Sequence, residues 1–130
     1  MKWMSAALLL AGMVSGDGQI QAKALLPIPD KLVVLTFDDS NKSDRFFVAE
    51  IVTEMGFGAT FYVTEGLGFL KSKTNYTTWE EIRELHDMGF EIGNHTQRHR
   101  NVTSLSGEDL ERSLTHIDRR CAEYGIPKPT

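Results

Sequence analysis

The chain has 130 residues, 41% of them hydrophobic and 25% charged, the proportions of one soluble globular domain with little room for a second. Its net charge of −4 excludes a nucleic-acid-binding role, since a phosphate backbone demands a basic surface. No repeat or low-complexity tract interrupts it.

The N-terminus reads as an export signal over residues 1–24. Lys2 supplies the positive start, and Ala22-Lys23-Ala24 offers an A-x-A cleavage site. The apolar stretch between them, Trp3 to Val14, is shorter than the roughly 20 residues that cross a bilayer. An ordinary apolar N-terminal helix is the competing reading. The expectation is an exported protein, periplasmic, cell-surface or extracellular, with no stable membrane span. Cleavage there removes Lys2, Lys23 and Asp17 and leaves the remainder one charge more acidic.

Residues 25–30 carry Pro27 and Pro29 and read as a linker, with the folded domain over residues 31–130. Leu32 to Phe37 is a continuous apolar run, the pattern of a strand buried on both faces. After the polar residues Asp38 to Ser43 a helix starts near Asp44, with Phe46, Phe47, Ile51, Val52 and Met55 expected inward and Gly56 as its stop. Ala59 to Val63 is a second strand, and Glu65 to Tyr76 a loop. Thr78 with Glu81 forms a capping box for a helix that ends at Gly89. Phe90 to Gly93 is a third strand. Ser106 with Asp109 opens a third helix that runs to about Tyr124, before Gly125.

The order β-α-β-α-β-α calls for an α/β fold with parallel strands and crossover helices. Ile126 to Thr130 reads as the connection to a fourth strand, and three strands alone leave open edges. The expectation is a domain cut short. Cys121, the sole cysteine, falls on a helix face with Leu110, Leu114, Ile117 and Tyr124, where burial is expected; a partner cysteine in a missing C-terminal part is the other reading.

Chemistry in parallel α/β folds gathers at the carboxyl ends of the strands. Asp38 and Asp39 end the first strand, and His95 and His99 follow the third. Neighbours on an extended chain point in opposite directions, so one acid could ligate a metal while the other faces a reacting water. A polar turn whose acids bond nearby N–H groups is the alternative. If His95-Thr96-Gln97-Arg98-His99 coils, two imidazoles four apart come within about 6 Å on one side and can share an ion. Two solvent-facing loop histidines are the alternative there. One carboxylate and two imidazoles leave positions open for water, the pattern of a catalytic metal, and a second free carboxylate is what a general base requires. Asp44, Glu65 and Glu91 are expected in capping or surface roles, and His86 and His116 on helix faces.

These residues carry a resemblance. Thr36-Phe37-Asp38-Asp39, Ala59-Thr60-Phe61-Tyr62-Val63 and Glu91-Ile92-Gly93-Asn94-His95-Thr96-Gln97-Arg98-His99 resemble, in order and spacing, motifs of the polysaccharide deacetylase family (NodB homology, carbohydrate esterase family four). The likeness runs from about Lys31 to the end and covers about half of a family domain. It implies the N-terminal part of a distorted (β/α) barrel that hydrolyses acetyl groups on a polysaccharide, an N-acetylglucosamine-type polymer being favoured. It further implies Asp38 as general base, Asp39, His95 and His99 as ligands of a divalent metal, usually zinc, and Thr96 shaping the His loop by a hydrogen bond. Ser40 stands where glycine is common in the family. The family's later motifs, including the leaving-group acid, are not in the sequence, so weak or no activity of these residues alone is expected. The rivals are another amidase or an acetyl-xylan esterase on this scaffold, a non-catalytic carbohydrate-binding remnant, and a receiver domain, which would want an aspartate where Asn94 and His95 stand.

Overall fold

β2, Thr60–Val63, forms the middle of a parallel three-stranded sheet of order β1-β2-β3, with β1 at Thr36–Asp38 and β3 at Glu91–Asn94. The computed structural model describes residues 30–129; the signal and nearly all of the linker expected from the sequence lie outside them. From Val33 onward the chain forms one compact unit.

The strand register sets up everything that follows. Asp38 lies opposite Tyr62, and Val63 opposite Asn94, so the carboxyl ends of all three strands stand level. The segments that begin at Asp39, Thr64 and His95 therefore leave the sheet at the same end. Phe61 fixes the sheet centrally, stacked on Phe37 and edge-on to Phe90, both at 5.2 Å.

The helices carry the stop and start signals that their sequence announces. α1, Ala49–Glu54, is preceded by a wider π turn at Asp44–Val48 and ends at Met55, with Gly56 at φ 70°. α2, Trp79–Asp87, has a complete capping box: the Thr78 hydroxyl accepts from the Glu81 N–H and the Glu81 carboxylate accepts from the Thr78 N–H. Gly89, at φ 94°, ends its turn. α3, Gly107–Glu123, is capped by Ser106, which accepts from the Asp109 N–H. Trp79, Ile82 and Leu85 of α2 and Ile117 and Cys121 of α3 join Phe61, Val63 and Ile92 of the sheet, and Phe90 just before β3, in one core. Cys121 is thus a buried apolar group, and burial pushes its thiol up to about 11.

Two expectations fail on burial. The first strand is shorter than the apolar run, and Leu32, Val33 and Val34 are 57%, 77% and 71% exposed. β1 is an edge strand paired only with β2, and no described residue packs over the start of that run. In the first helical segment only Asp44, Ala49 and Val52 are buried, while Phe46, Phe47, Ile51 and Met55 are exposed. The π turn closes i→i+5 bonds and inserts extra chain per turn, which swings residues before Ala49 off the face that a regular helix would give them. The Phe46 ring is covered in part by Lys42 and Arg45, whose cations sit 5.2 and 5.4 Å from its centre. Among the described residues no helix is long and apolar enough to cross a membrane.

Candidate metal centre

Asp39 leaves β1 in the left-handed region, at φ 76°, and Ser40 follows at φ 57°. Two successive non-glycine residues there turn the chain sharply at the strand tip, a strain that persists only where surrounding bonds enforce it. On the other side the His95 N–H donates to the Val63 carbonyl (2.9 Å), which extends the ladder by one residue beyond β3. The Asn94 side chain then accepts from the Thr96 N–H (3.0 Å), and Ser113 of α3 accepts from the Gln97 N–H (2.8 Å). Thr96 and His99 also take positive φ, 62° and 51°.

The segment His95–His99 therefore does not coil as a helix. Its imidazoles converge because two left-handed residues fold the loop back, leaving the ring centres 4.8 Å apart. The expected Thr96 contribution is made by its backbone N–H; its hydroxyl has no hydrogen bond among the described residues.

Asp39 Oδ1 sits 3.1 Å from His99 Nε2 and 3.4 Å from His95 Nε2, and one ligand atom from each of the three residues lies within 4.8 Å of the others. That Oδ1 atom is buried and has no hydrogen-bond donor, although the side chain as a whole is about a third exposed. A bare carboxylate oxygen without a partner costs about 1–3 kcal/mol or more. Two imidazolium rings aimed at the same oxygen would repel each other. Ligand atoms about 2.0–2.1 Å from a tetrahedral zinc stand roughly 3.3 Å apart, close to both spacings found here. The donor set, one carboxylate with two imidazoles, fits a divalent cation.

Other acids surround this point. Asp38, the last residue of β1, is exposed, and its carbonyl accepts from the Asn41 side chain (2.9 Å). Asp44 was expected as a cap or surface acid but is buried. Burial first, and then the charges of Asp39 and Asp38, push its carboxyl up to about 6 against the opposing hydrogen bond from Asn41.

Glu65 also departs from its expected surface role. Its carboxylate accepts from Trp79 Nε1 (2.7 Å) and Arg120 Nε (3.1 Å), and lies 2.7 Å from His116 Nε2. Burial alone would raise its pKa, but those hydrogen bonds outweigh it and hold the carboxyl below its usual value. His116 is on a helix, as expected, yet that helix face is turned to the loop after β2. A signal existed: His116 and Arg120 are four apart on α3, where they share one side. His86 borders a shallow groove with Gly89, Phe90 and Ile126, at the opposite end of the strands.

The sequence pattern of the polysaccharide deacetylase family matches residues 26–130. The chain belongs to that family. Solved deacetylases share the fold: a T48 deacetylase solved with substrate is 26% identical, with a TM-score of 0.59 over 74% of this chain and 45% of that one. A family 4 carbohydrate esterase from Bacillus anthracis is 25% identical, with a TM-score of 0.61 over 75% of this chain and 44% of its own. A Streptococcus pyogenes deacetylase solved with acetate gives 0.63 at 23% identity, over 78% and 44%. The chain thus spans less than half the length of these deacetylases, and its parallel strands and helices form part of the family's barrel. No curated protein sequence matches it.

Proposed function

We propose that the chain is the metal-binding part of a deacetylase that removes acetyl groups from a polysaccharide, with an N-acetylglucosamine-type polymer as the favoured substrate and amide hydrolysis as the reaction. The observation that carries this reading is the convergence of Asp39, His95 and His99 on one buried, donorless carboxylate oxygen. Those three residues would hold the ion, with zinc the metal that suits the donor set. A divalent ion at such a centre supplies Lewis acidity, which polarises a carbonyl and makes water easier to deprotonate.

The rest is the work of the side chains. Asp38 stands exposed beside the centre and in no ion pair among the described residues, so its carboxylate is free to take a proton from the attacking water. Asp39, whose Oδ1 faces both histidines, is kept for the ion. The tips of β1 and β3 anchor the two segments that carry the site, the Asp39 turn and the His95–His99 loop. The export signal read in residues 1–24 supports action outside the cytoplasm, where such polymers are found.

Among the described residues no further imidazole stands near the centre to protonate a leaving amine: His116 is paired with Glu65, and His86 lies at the far strand ends. The loss of such an acid typically costs about 10²–10⁴-fold. Mixed with an N-acetylated chito-oligomer and zinc, the chain is expected to release acetate slowly, and release should cease on chelation and in Asp38→Asn. Release that continues under both conditions would contradict the proposal. A zinc-loaded chain that releases none at all, even at equimolar substrate, would instead mark a non-catalytic binding remnant.

A further inference from the structure

Ser40 is 3% exposed and holds a left-handed backbone, φ 57°, that glycine would adopt at lower cost. Its side chain uses the position. The hydroxyl donates to the Thr64 carbonyl (3.1 Å) and accepts from the Thr64 N–H (2.9 Å), so one Oγ bridges both backbone groups of the residue that follows β2. The Ser40 carbonyl in turn accepts from the Thr77 N–H (2.9 Å) and the Thr77 hydroxyl (3.1 Å), ahead of the α2 cap. Thr64 and Thr77 are both 1% exposed. The Thr64 hydroxyl donates to the Gln97 carbonyl (3.4 Å), inside the histidine loop, and accepts from the Gly66 N–H (3.1 Å). A continuous run of hydrogen bonds, buried at Ser40 and part-buried at its far end, therefore joins the residue after Asp39 to the segment between His95 and His99.

From this juxtaposition we infer that Ser40 is a positioning residue for the metal centre: its hydroxyl ties the Asp39 turn to the end of β2, and through Thr64 to the histidine loop, so that the three ligand atoms are already gathered before an ion arrives. The Ser40 carbonyl and the Asn41 side chain also hold this turn, but it is the Ser40 hydroxyl that ties it to Thr64, and a glycine there would loosen Asp39 relative to the histidine loop. The inference rests on the proposed metal site. It adds that this chain depends on a hydroxyl at position 40 to preorganise that site, as groups behind metal ligands commonly do.

Ser40→Ala isolates the hydroxyl, because it removes the bridge and keeps the left-handed backbone cost; Ser40→Gly removes the bridge and lowers that cost. Both are compared with the unaltered chain by zinc titration calorimetry and by circular dichroism. Ser40→Gly is expected to keep the native spectrum and to bind zinc about tenfold more weakly. Zinc affinity equal to that of the unaltered chain, with only a lower melting temperature, would overturn the inference. A metal-free readout decides it independently: amide exchange at Thr64, whose N–H loses its acceptor, should quicken severalfold in Ser40→Gly, while Phe61 and Tyr62, in the β2 ladder, exchange as before. Unchanged exchange at Thr64 would overturn the clamp in any case. A chain that binds no zinc at all would instead sink the metal reading, and leave exchange to decide the role of Ser40.

Discussion

Gly66 lies flat against the backbone of Arg98: a Cβ built on it would fall 2.8 Å from the Arg98 carbonyl carbon, 2.9 Å from its oxygen and 3.0 Å from the His99 Cβ. Backbone cannot rotate out of the way as a side-chain tip can. Gly66→Ala must therefore displace the His99 segment from its present position against Asp39. The expected result is a zinc affinity lowered about tenfold or more, with a loss of stability of about 1–3 kcal/mol from overpacking. Calorimetry and urea melts on the same preparation would measure both.

The residue before it explains why Gly66 has nowhere to go. Glu65 is held by Trp79, His116 and Arg120, and the Arg120 guanidinium also stacks over Trp79 and Tyr124 at 5.1 and 5.2 Å. Glu65→Ala strips a carboxylate from the Arg120 guanidinium, the His116 ring and an indole N–H, and is expected to cost about 2–4 kcal/mol in urea unfolding at neutral pH. Because the native carboxyl is held below its usual value, the unfolded chain takes up the proton first as pH falls. The stabilisation is present above the ordinary carboxylate range and drains away below it. Glu65→Gln should flatten that acid limb.

Asp44 predicts the opposite slope. Its native carboxyl keeps a proton up to about pH 6, whereas an unfolded one releases it near 3.8. Between those values the native state binds more protons, so stability falls as pH rises. Asp44→Asn should remove the slope and make the metal-free chain more stable above pH 6, by about 3 kcal/mol if the whole shift is realised. Thermal melts of the chelated protein from pH 4 to 7 would test this; a variant that parallels the unaltered chain across that range would contradict it.

Much of this architecture was legible in the residues. Thr78 with Glu81, and Ser106 with Asp109, marked two helix starts because a cap needs only local chemistry, and Gly56, Gly89 and Gly125 marked the ends for the same reason. The pairing of Asp39 with His95 and His99 was legible too, since the strand ends of a parallel sheet must lie together. Burial was less so. Periodicity put Phe46 and Phe47 inside, and a π turn at Asp44–Val48 undid the count. Leu32 to Val34 read as a buried strand because apolar runs carry no information about which neighbour covers them. Coiling was one way for the histidine loop to bring its imidazoles together, but left-handed residues at Thr96 and His99 did that work, and nothing in a Thr announces a positive φ. Glu65, His116 and Arg120 were missed as a group because their contact crosses the fold.

The most direct test is zinc stoichiometry in the purified chain and its variants. The unaltered protein is expected to bind one zinc ion per chain; His95→Ala/His99→Ala should bind none, Asp39→Asn should bind at least tenfold more weakly, and Asp38→Asn should bind as the parent does. A parent chain that takes up no zinc, or an affinity lost in Asp38→Asn and retained in Asp39→Asn, would contradict the assignment of the centre.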